Sequence, residues 1–285
     1  MNSYVKRALH NRQFMILLVL AITLILLAVF ADKVAPHDPL ATNFDQSMVA
    51  HSAEYPMGTD QIGRCILSRL IYGGRTSMLI VFRVIAAVSV IGITLGVLAG
   101  YLGGWVDLII TRFTDMVMAI PSTVFVIALV SVLGPGLGNT ILAMSLVSWT
   151  EYCRVTRALV MSLKQNPYVE EGRMGGMSEL KVILKLLLPN VFPYLLVNIT
   201  QDIGSYLLTL GGLSLLGLSS QPPTPEWGFM LSEGRKFITA APWLIFWPGA
   251  VIVLHVVIFN LLGDSLRDIL DPRYESKKKR RKLKK

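Results

Sequence analysis

The chain has 285 residues, of which 53% are hydrophobic and 16% are charged, with a mean hydropathy of +0.57. This composition excludes an ordinary water-soluble domain and predicts an integral membrane protein. The net charge of +9 does not indicate a nucleic-acid groove, because eight positive charges fall in residues 277–285 and no aromatic residue interleaves them. A basic block beside a hydrophobic segment is typical of the cytoplasmic side of a membrane and of contact with anionic membrane lipid.

The first apolar run covers residues 14–31 and follows a short basic segment. The run is longer than the apolar core of a signal peptide, and its flanking sequence does not resemble a cleavage site. We therefore predict an uncleaved first transmembrane helix. Residues 32–77 form a polar connection, which includes a predicted interfacial amphipathic helix with apolar side chains at positions 66, 67, 70 and 71.

Five further apolar runs are each long enough, when tilt is allowed, to cross a hydrocarbon core of about 30 Å. The runs are residues 78–102, 105–133, 137 to beyond 151, 190–218 and 242–263. The sequence therefore predicts an all-α, polytopic membrane protein with six transmembrane helices. We predict three parts: residues 1–77 with the first span and an external loop, residues 78–264 as the transmembrane domain, and residues 265–285 as a basic cytoplasmic tail.

Lysine and arginine residues indicate the orientation of these spans, since they are enriched on the cytoplasmic side. Three precede the first span, six lie in residues 153–189 and ten lie in residues 264–285, whereas the opposite face holds six. Both termini and the loop around residue 168 are therefore predicted to be cytoplasmic.

The loop at residues 166–189 is a polar, helix-forming stretch between two hydrophobic runs. Asn166 and Pro167 suit the N-cap and the first position of a helix, and glycines at 175 and 176 suit its end. Ser178 is a predicted cap for a second short helix. The apolar stripe of that helix comprises Leu180, Ile183, Leu184, Leu187 and Leu188. A pair of helices like this can dock in a partner's groove, and the alternative is an ordinary amphipathic loop.

Charged residues inside the predicted spans are candidates for function. Two predictions are open for Arg83: its side chain faces a pore or a neighbouring subunit, or it extends to the membrane interface. Arg112 and Asp115 are three residues apart on one helical face, so we predict that they pair with each other.

Asp202 lies deeper in the fifth run than an anchoring charge requires. Together with Gln201 and Ser205 it is predicted either to line a polar path or to form a buried structural cluster. The residues alone leave both interpretations open.

Signatures of catalysis do not occur in the sequence. It contains no phosphate-binding loop, no H-E-x-x-H motif and no nucleophile elbow, so we predict neither an enzyme nor a bound cofactor. Cys65 and Cys153 are predicted to be free thiols, and the four histidines have no metal-ligand spacing. His255 is predicted to belong to the core.

The order of residues in the 166–189 loop resembles the EAA loop of ABC-importer membrane subunits. That family pattern is Glu-Ala-Ala, three residues, Gly, nine residues, an aliphatic residue, one residue and Leu-Pro. Here Glu170, Glu171 and Gly172 are followed after three residues by Gly176 and after nine more by the sequence LLLP at 186–189. The chain differs at Glu171 and Gly172, where alanines are usual.

Other segments resemble the second permease of dipeptide, oligopeptide and nickel ABC importers. They are MGTDQIGR at 57–64, SRLIYGGR at 68–75, GYLGGWVD at 100–107, the proline-rich stretch at 213–228 and the ending at 262–273. Cys65 stands where the family usually has Asp, and Leu215 and Ser219 replace Phe and Gly. The resemblance covers about residues 10–275.

The resemblance implies a type I importer permease in the inner membrane of a bacterial cell. A second permease would complete the pore, two ATP-binding subunits would supply the energy, and an external substrate-binding protein would deliver short peptides or a nickel chelate. The residues implied to dock on the ATPase are Glu170, Glu171, Gly172, Gly176, Leu188 and Pro189. The alternatives are a secondary transporter that works without ATPase subunits, and a membrane scaffold whose basic tail gathers lipid or partners.

Overall fold

The computed structural model of the protein describes residues 7–270, so the basic block at 277–285 and most of the predicted tail lie outside the described residues. Within this range the chain is helical, and its only β pairing is an isolated bridge between Thr59 and Cys65. The helices are α1 Arg12–Val29, α2 Ala31–Val34, α3 Ile66–Leu102, α4 Gly104–Met118, α5 Ser122–Leu133, α6 Leu137–Lys164, α7 Pro167–Met174, α8 Glu179–Val182, α9 Leu188–Leu215, α10 Trp227–Gly234 and α11 Trp243–Leu270. The predicted all-α class is confirmed.

Four helical stretches within residues 7–270 are long and apolar enough to cross a membrane. They are α1, α3, the continuous helix Glu179–Leu215 and α11. Helices α4 and α5 meet at an angle of 83° and make a fifth span if they are counted together. The remaining predicted span corresponds to α6, which is long enough at 28 residues but carries Glu151, Arg154 and Arg157 in its second half.

The amphipathic helix expected near residue 70 is not separate, because it forms the first turns of the 37-residue α3. The predicted boundary at residue 77 therefore falls inside α3, and the boundary at 264 falls inside α11. The first turns of α3 pack against another part of the protein and do not form a separate helix at the membrane interface. Trp227 lies against Gly73 and Gly74 and donates a 2.8 Å hydrogen bond to the Leu70 carbonyl.

The predicted run at 105–133 is broken between α4 and α5. The break ends at Pro121, which has no N–H to donate and disfavours helical conformation in the residue before it. The consequence is the 83° bend, which gives α4 and α5 different directions.

Helices α3 and α6 form the most extensive helix contact in the described chain. Gly92, Gly96 and Gly100 face α6 so closely that an added Cβ at each would lie 2.5 to 2.8 Å from α6 atoms, including backbone carbonyl oxygens. Small residues at a spacing of four allow this approach. The two helices therefore pack as one unit.

Two ion pairs join α4 to α6. Arg157 pairs with both carboxylate oxygens of Asp107, and Arg154 lies 3.0 Å from the Asp115 carboxylate. The prediction that Arg112 pairs with Asp115 is wrong. The antiparallel packing of α4 beside α6 brings Arg154 to Asp115, and a contact between helices replaces the local pairing.

A cluster of buried ion pairs between side chains lies at the end of the molecule opposite the 166–189 loop. Arg64 pairs with Asp60 at 2.5 Å and with Glu233 at 3.0 Å, and Arg69 pairs with both acids, at 2.6 Å in the case of Glu233. The side chains of the two arginines are at most 5% exposed. The cluster ties the connection before α3 to α10, which the sequence did not indicate.

Glu226 is the N-cap of α10 and is almost completely buried. Its carboxylate accepts hydrogen bonds from the backbone of Gly228 and Phe229 and from the hydroxyls of Ser77 and Ser214. Burial raises the pKa of Glu226, while these hydrogen bonds act in the opposite direction.

Candidate functional site: the 166–189 segment and a polar cavity

The first helix of the 166–189 segment has the predicted bounds. Asn166 is the N-cap with extended backbone, Pro167 is the first helical residue, and α7 ends at Met174 with Gly175 as its C-cap. Gly176 has a φ of +78°, which glycine adopts without the steric penalty of other residues. Val169 is fully buried and anchors α7 to a small core that also contains Leu187 and Val191.

The second helix is not the short, separate element that was expected. Ser178 is its N-cap, but α8 continues through a π-helical turn, Ile183–Leu187, directly into α9. The wider turn rotates the later side chains, so the predicted apolar stripe divides into two sets. Leu187 is buried, whereas Leu180 and Leu184 are 65% and 53% exposed.

An exposed apolar surface results, which we call the docking patch. It consists of Met174, Met177, Leu180 and Leu184. Glu170 and Glu171 are exposed beside it. Pro189 is exposed, Leu188 is half-buried, and Gly172 lies against Leu186. The six residues implied by the resemblance therefore all lie in the 166–189 segment, but Gly172 and Leu188 are only partly exposed.

Tyr101 is a contact of this segment that sequence reasoning missed. Its ring lies 5.3 Å from the Arg173 guanidinium and 5.4 Å from Lys164 Nζ, and its hydroxyl donates a hydrogen bond to Glu179. The ring is 5% exposed. Its only signal in the sequence was its position in the GYLGGWVD stretch.

A second feature is a cavity of about 400 Å³ between the α4–α5 bend, α6 and α9. Its polar lining includes Ser148, Glu151, Asp202, Ser205, Tyr206 and Thr209. The Tyr152 hydroxyl donates a 2.5 Å hydrogen bond to Asp202. Asp202 therefore lines the cavity and also accepts a hydrogen bond from a side chain on α6.

Gln201 does not line this cavity. Its side-chain amide donates a 2.9 Å hydrogen bond to Asp264 on α11, and its Cγ contacts Gly263. Successive residues of a helix point about 100° apart, so Gln201 and Asp202 face different neighbours. Of the three predicted residues, the structure brings Asp202 and Ser205 together and directs Gln201 elsewhere.

The remaining candidates have simple surroundings. Arg83 is exposed and has no hydrogen bond or ion pair among residues 7–270. His255 is buried and its ring lies 4.6 Å from that of Trp227, as expected of a core residue. Both cysteines are buried and unpaired. In the described part of the chain, no three His, Cys, Asp or Glu residues are arranged to hold a metal ion.

Comparison with known families matches two parts of the sequence. Residues 92–276 match the family described as "Binding-protein-dependent transport system inner membrane component". Residues 3–53 match the "N-terminal TM domain of oligopeptide transport permease C".

Relatives of known name extend over nearly the whole chain. The dipeptide transport system permease protein DppC of Haemophilus influenzae is 40% identical over 270 residues, which are 93% of this chain and 92% of that protein. DppC of Alkalihalophilus pseudofirmus is 37% identical over 95% of this chain and 89% of its own length. The nickel transport system permease protein NikC of Escherichia coli K12 is 39% identical over 90% of this chain and 92% of its own length.

Solved structures support the fold. The inward-facing MetNI methionine ABC transporter aligns with 71% of this chain and 96% of its own, with a TM-score of 0.55 and 18% identity. The helical architecture is therefore that of a type I ABC-importer permease. The chain belongs to the family of binding-protein-dependent transport system inner membrane components. It is a transmembrane permease component of such a transport system, which confirms the family indicated by the loop and the other motifs.

Proposed function

We propose that the chain is one of two permeases in an ATP-driven importer, and that an ATP-hydrolysing subunit docks on the 166–189 segment. The docking patch is the observation that carries this proposal. Met174 is 88% exposed and Leu180 is 65% exposed, whereas Val169, Val182 and Leu187 of the same segment are buried. An exposed apolar helix face beside acidic residues is typical of helix-in-groove recognition.

The segment is suited to transmit movement, because it connects two long helices directly. Only two residues separate α6 from α7, and α8 continues into α9. Displacement of the segment by ATP-driven closure of the ATPases would move α6 and α9 as packed elements. Both helices line the cavity, so movement at the docking patch would reach the transport path.

The cavity is proposed as this chain's share of the transport path. Asp202 and Ser205 contribute its polar lining, and a second permease would cover its open side. Gln201 is retained only as a neighbour of the path, since its side chain bonds to Asp264. The orientation is proposed from the excess of lysine and arginine: both termini and the 166–189 segment are cytoplasmic.

The proposed cargo is a short peptide or a nickel chelate, delivered by an external substrate-binding protein. The relatives named DppC and NikC support both classes at 37–40% identity. These identities are too close to separate the two. The cargo is therefore decided by a direct assay with both ligand classes.

The test is purification of the detergent-solubilised chain from its native membrane, with identification of every subunit that co-purifies. We expect a second permease and two ATPases, and we expect ATP-dependent uptake when the complex and its binding protein are reconstituted in liposomes. Leu184→Asp in the docking patch should abolish co-purification of the ATPases. Phe44→Asp is the matched control, because Phe44 is equally apolar and 71% exposed but lies outside the segment. Uptake by the chain alone without ATP would contradict the proposal.

A further inference from the structure

We propose that Tyr101 is the positioning residue that holds the two helices of the 166–189 segment at a fixed angle and fastens them to α3. This inference rests on the proposed function, because it assigns a part of the coupling machinery. Tyr101 lies one residue before the end of α3. Helix α3 is not directly connected to the segment, because α4, α5 and α6 lie between them in the sequence. Its side chain is therefore a means by which α3 follows the segment.

The contacts of Tyr101 span the bend of the segment. Arg173 lies in the last turn of α7, on one side of the Gly175–Gly176 bend, and Glu179 begins α8 on the other side. The ring contacts Arg173 at 5.3 Å, and the hydroxyl bonds to Glu179. Arg173 and Glu179 themselves are 3.9 Å apart, so Tyr101 joins two groups that interact only weakly with each other.

A third contact fixes Tyr101 to α6. Lys164 Nζ donates a 2.5 Å hydrogen bond to the Tyr101 carbonyl and lies over the ring at 5.4 Å. Lys164 is the last residue of α6, immediately before the segment. One buried aromatic side chain thus contacts the ends of α6, α7 and α8 at the same point.

The surroundings make this arrangement rigid. Tyr101 belongs to the same small core as Val169 and Leu187, which anchor the two helices of the segment. Next to it, Gly100 holds α3 against the backbone of α6. A cation and an aromatic ring attract each other more strongly where water is excluded, as it is at a ring that is 5% exposed.

The ring and the hydroxyl have separable roles. The ring orients Arg173 and Lys164, and the hydroxyl orients Glu179. Removing the ring should leave the docking patch intact, because Met174, Leu180 and Leu184 do not depend on it for exposure. It should, however, free the bend, so that ATP-driven movement changes the angle of the segment instead of moving α3.

The test uses the complete transporter in liposomes and measures substrate uptake per ATP hydrolysed, together with the amount of ATPase that co-purifies. Tyr101→Leu should retain the ATPases and their hydrolysis, while uptake per ATP falls about tenfold. Tyr101→Phe, which keeps the ring but lacks the hydroxyl, should show about half of the wild-type uptake per ATP. Glu179→Ala, which removes the acceptor of the Tyr101 hydroxyl, should resemble Tyr101→Phe, since Glu179 is exposed and its substitution does not disturb the core.

Asp45→Ala is the control, because Asp45 is also an exposed acid but lies outside the 166–189 segment. Normal uptake per ATP in Tyr101→Leu would overturn the role of Tyr101 while leaving the proposed function intact. Absence of ATP-driven uptake by the wild-type complex would overturn both. If Tyr101→Leu does not accumulate, Tyr101→Phe and Glu179→Ala are compared with the control. Three equal ratios of uptake to ATP hydrolysed would refute the proposal.

Discussion

Gly172 and Leu186 are in such close contact that a Cβ added to Gly172 would lie 2.7 Å from Leu186 Cδ1. The contact joins α7 to the π-helical turn and explains how glycine serves at a position where the family usually has alanine. The end of a leucine side chain can move, and alanine favours a helix by about 1 kcal/mol over glycine. We therefore expect Gly172→Ala to assemble normally with the ATPases.

Gly172→Val should behave differently, since its γ-methyl groups extend further toward Leu186. Overpacking costs about 1–3 kcal/mol, which corresponds to about a fivefold to 150-fold loss of ATPase affinity if the docked shape is disturbed. Titration of the purified permease pair with ATPase would measure this loss. Equal affinity of the alanine and valine variants would show that the contact does not determine the shape of the segment.

Gly176 should tolerate substitution poorly for a different reason. An added Cβ would meet no atom within 4 Å, but the φ of +78° is unfavourable for any residue with a side chain, by about 1–2 kcal/mol. We expect Gly176→Val to insert in the membrane and to uncouple ATP hydrolysis from uptake. Gly138→Val is the control, because Gly138 also meets nothing within 4 Å but has no such φ. Normal uptake by Gly176→Val would contradict the assignment of the segment.

The two ion pairs between α4 and α6 differ in exposure and should differ in strength. Asp107 and Arg157 are 19% and 28% exposed, whereas Asp115 and Arg154 are 47% and 54% exposed. Asp115→Asn should cost less than about 1 kcal/mol. Asp107→Asn should lower the free energy of unfolding by more than Asp115→Asn does. Breaking a fully buried ion pair costs about 3–5 kcal/mol, which sets the upper limit. Thermal unfolding of the two variants in the same detergent gives the comparison, and equal melting temperatures would contradict it.

Glu226 is expected to stabilise α10 through its capping bonds. Glu226→Ala leaves the backbone N–H groups of Gly228 and Phe229 without this acceptor, at a cost of about 1–3 kcal/mol. The melting temperature should fall by about 2–4 °C for each kcal/mol. Asp45→Ala, at an exposed acid, should leave it unchanged. A similar fall in both variants would indicate a general effect of removing negative charge.

The cavity supplies a fifth prediction. Ser205→Trp should fill part of the space beside Asp202 and block uptake, while the ATPases remain attached. Gln201→Ala should leave uptake within about twofold of wild type, because Gln201 faces Asp264 and surface polar contacts contribute little. Uptake and ATPase content are measured on the same liposomes. Loss of uptake in Gln201→Ala with normal uptake in Ser205→Trp would move the path to the other face of α9.

Local signals in the sequence predicted the elements that local interactions determine. Asn166, Pro167 and Gly175 gave the bounds of α7, because caps and breakers act within a few residues. Apolar runs predicted the four long apolar helices and the bent pair α4–α5, because mean hydropathy is a property of consecutive residues. The separate helix expected near residue 70 was an error of segmentation, since the change in polarity there reflects burial of Arg69 by acids rather than the end of a helix.

Contacts between distant residues could not be predicted in this way. Arg112 and Asp115 were neighbours on one helix, yet Asp115 pairs with Arg154, 39 residues away. Tyr152 and Asp202 are 50 residues apart, and nothing in either local sequence signals their bond. The π-helical turn was hidden as well, because leucines at 184, 186, 187 and 188 fit several helical registers. Packing against Val169 and Val191 selects among these registers in three dimensions.

The continuous helix from Glu179 to Leu215, which includes the π-helical turn, connects two functional regions of the protein. Its 37 residues extend about 55 Å, so one rod carries Leu184 at the docking patch and Ser205 at the cavity. Pro189 and Pro193 cannot donate backbone hydrogen bonds, but the helix continues through both, so a twist applied at one end is transmitted to the other. Twisting its end by a few tens of degrees would swing the hydroxyl of Ser205 and the carboxylate of Asp202 across the cavity wall without sliding any helix along its neighbours.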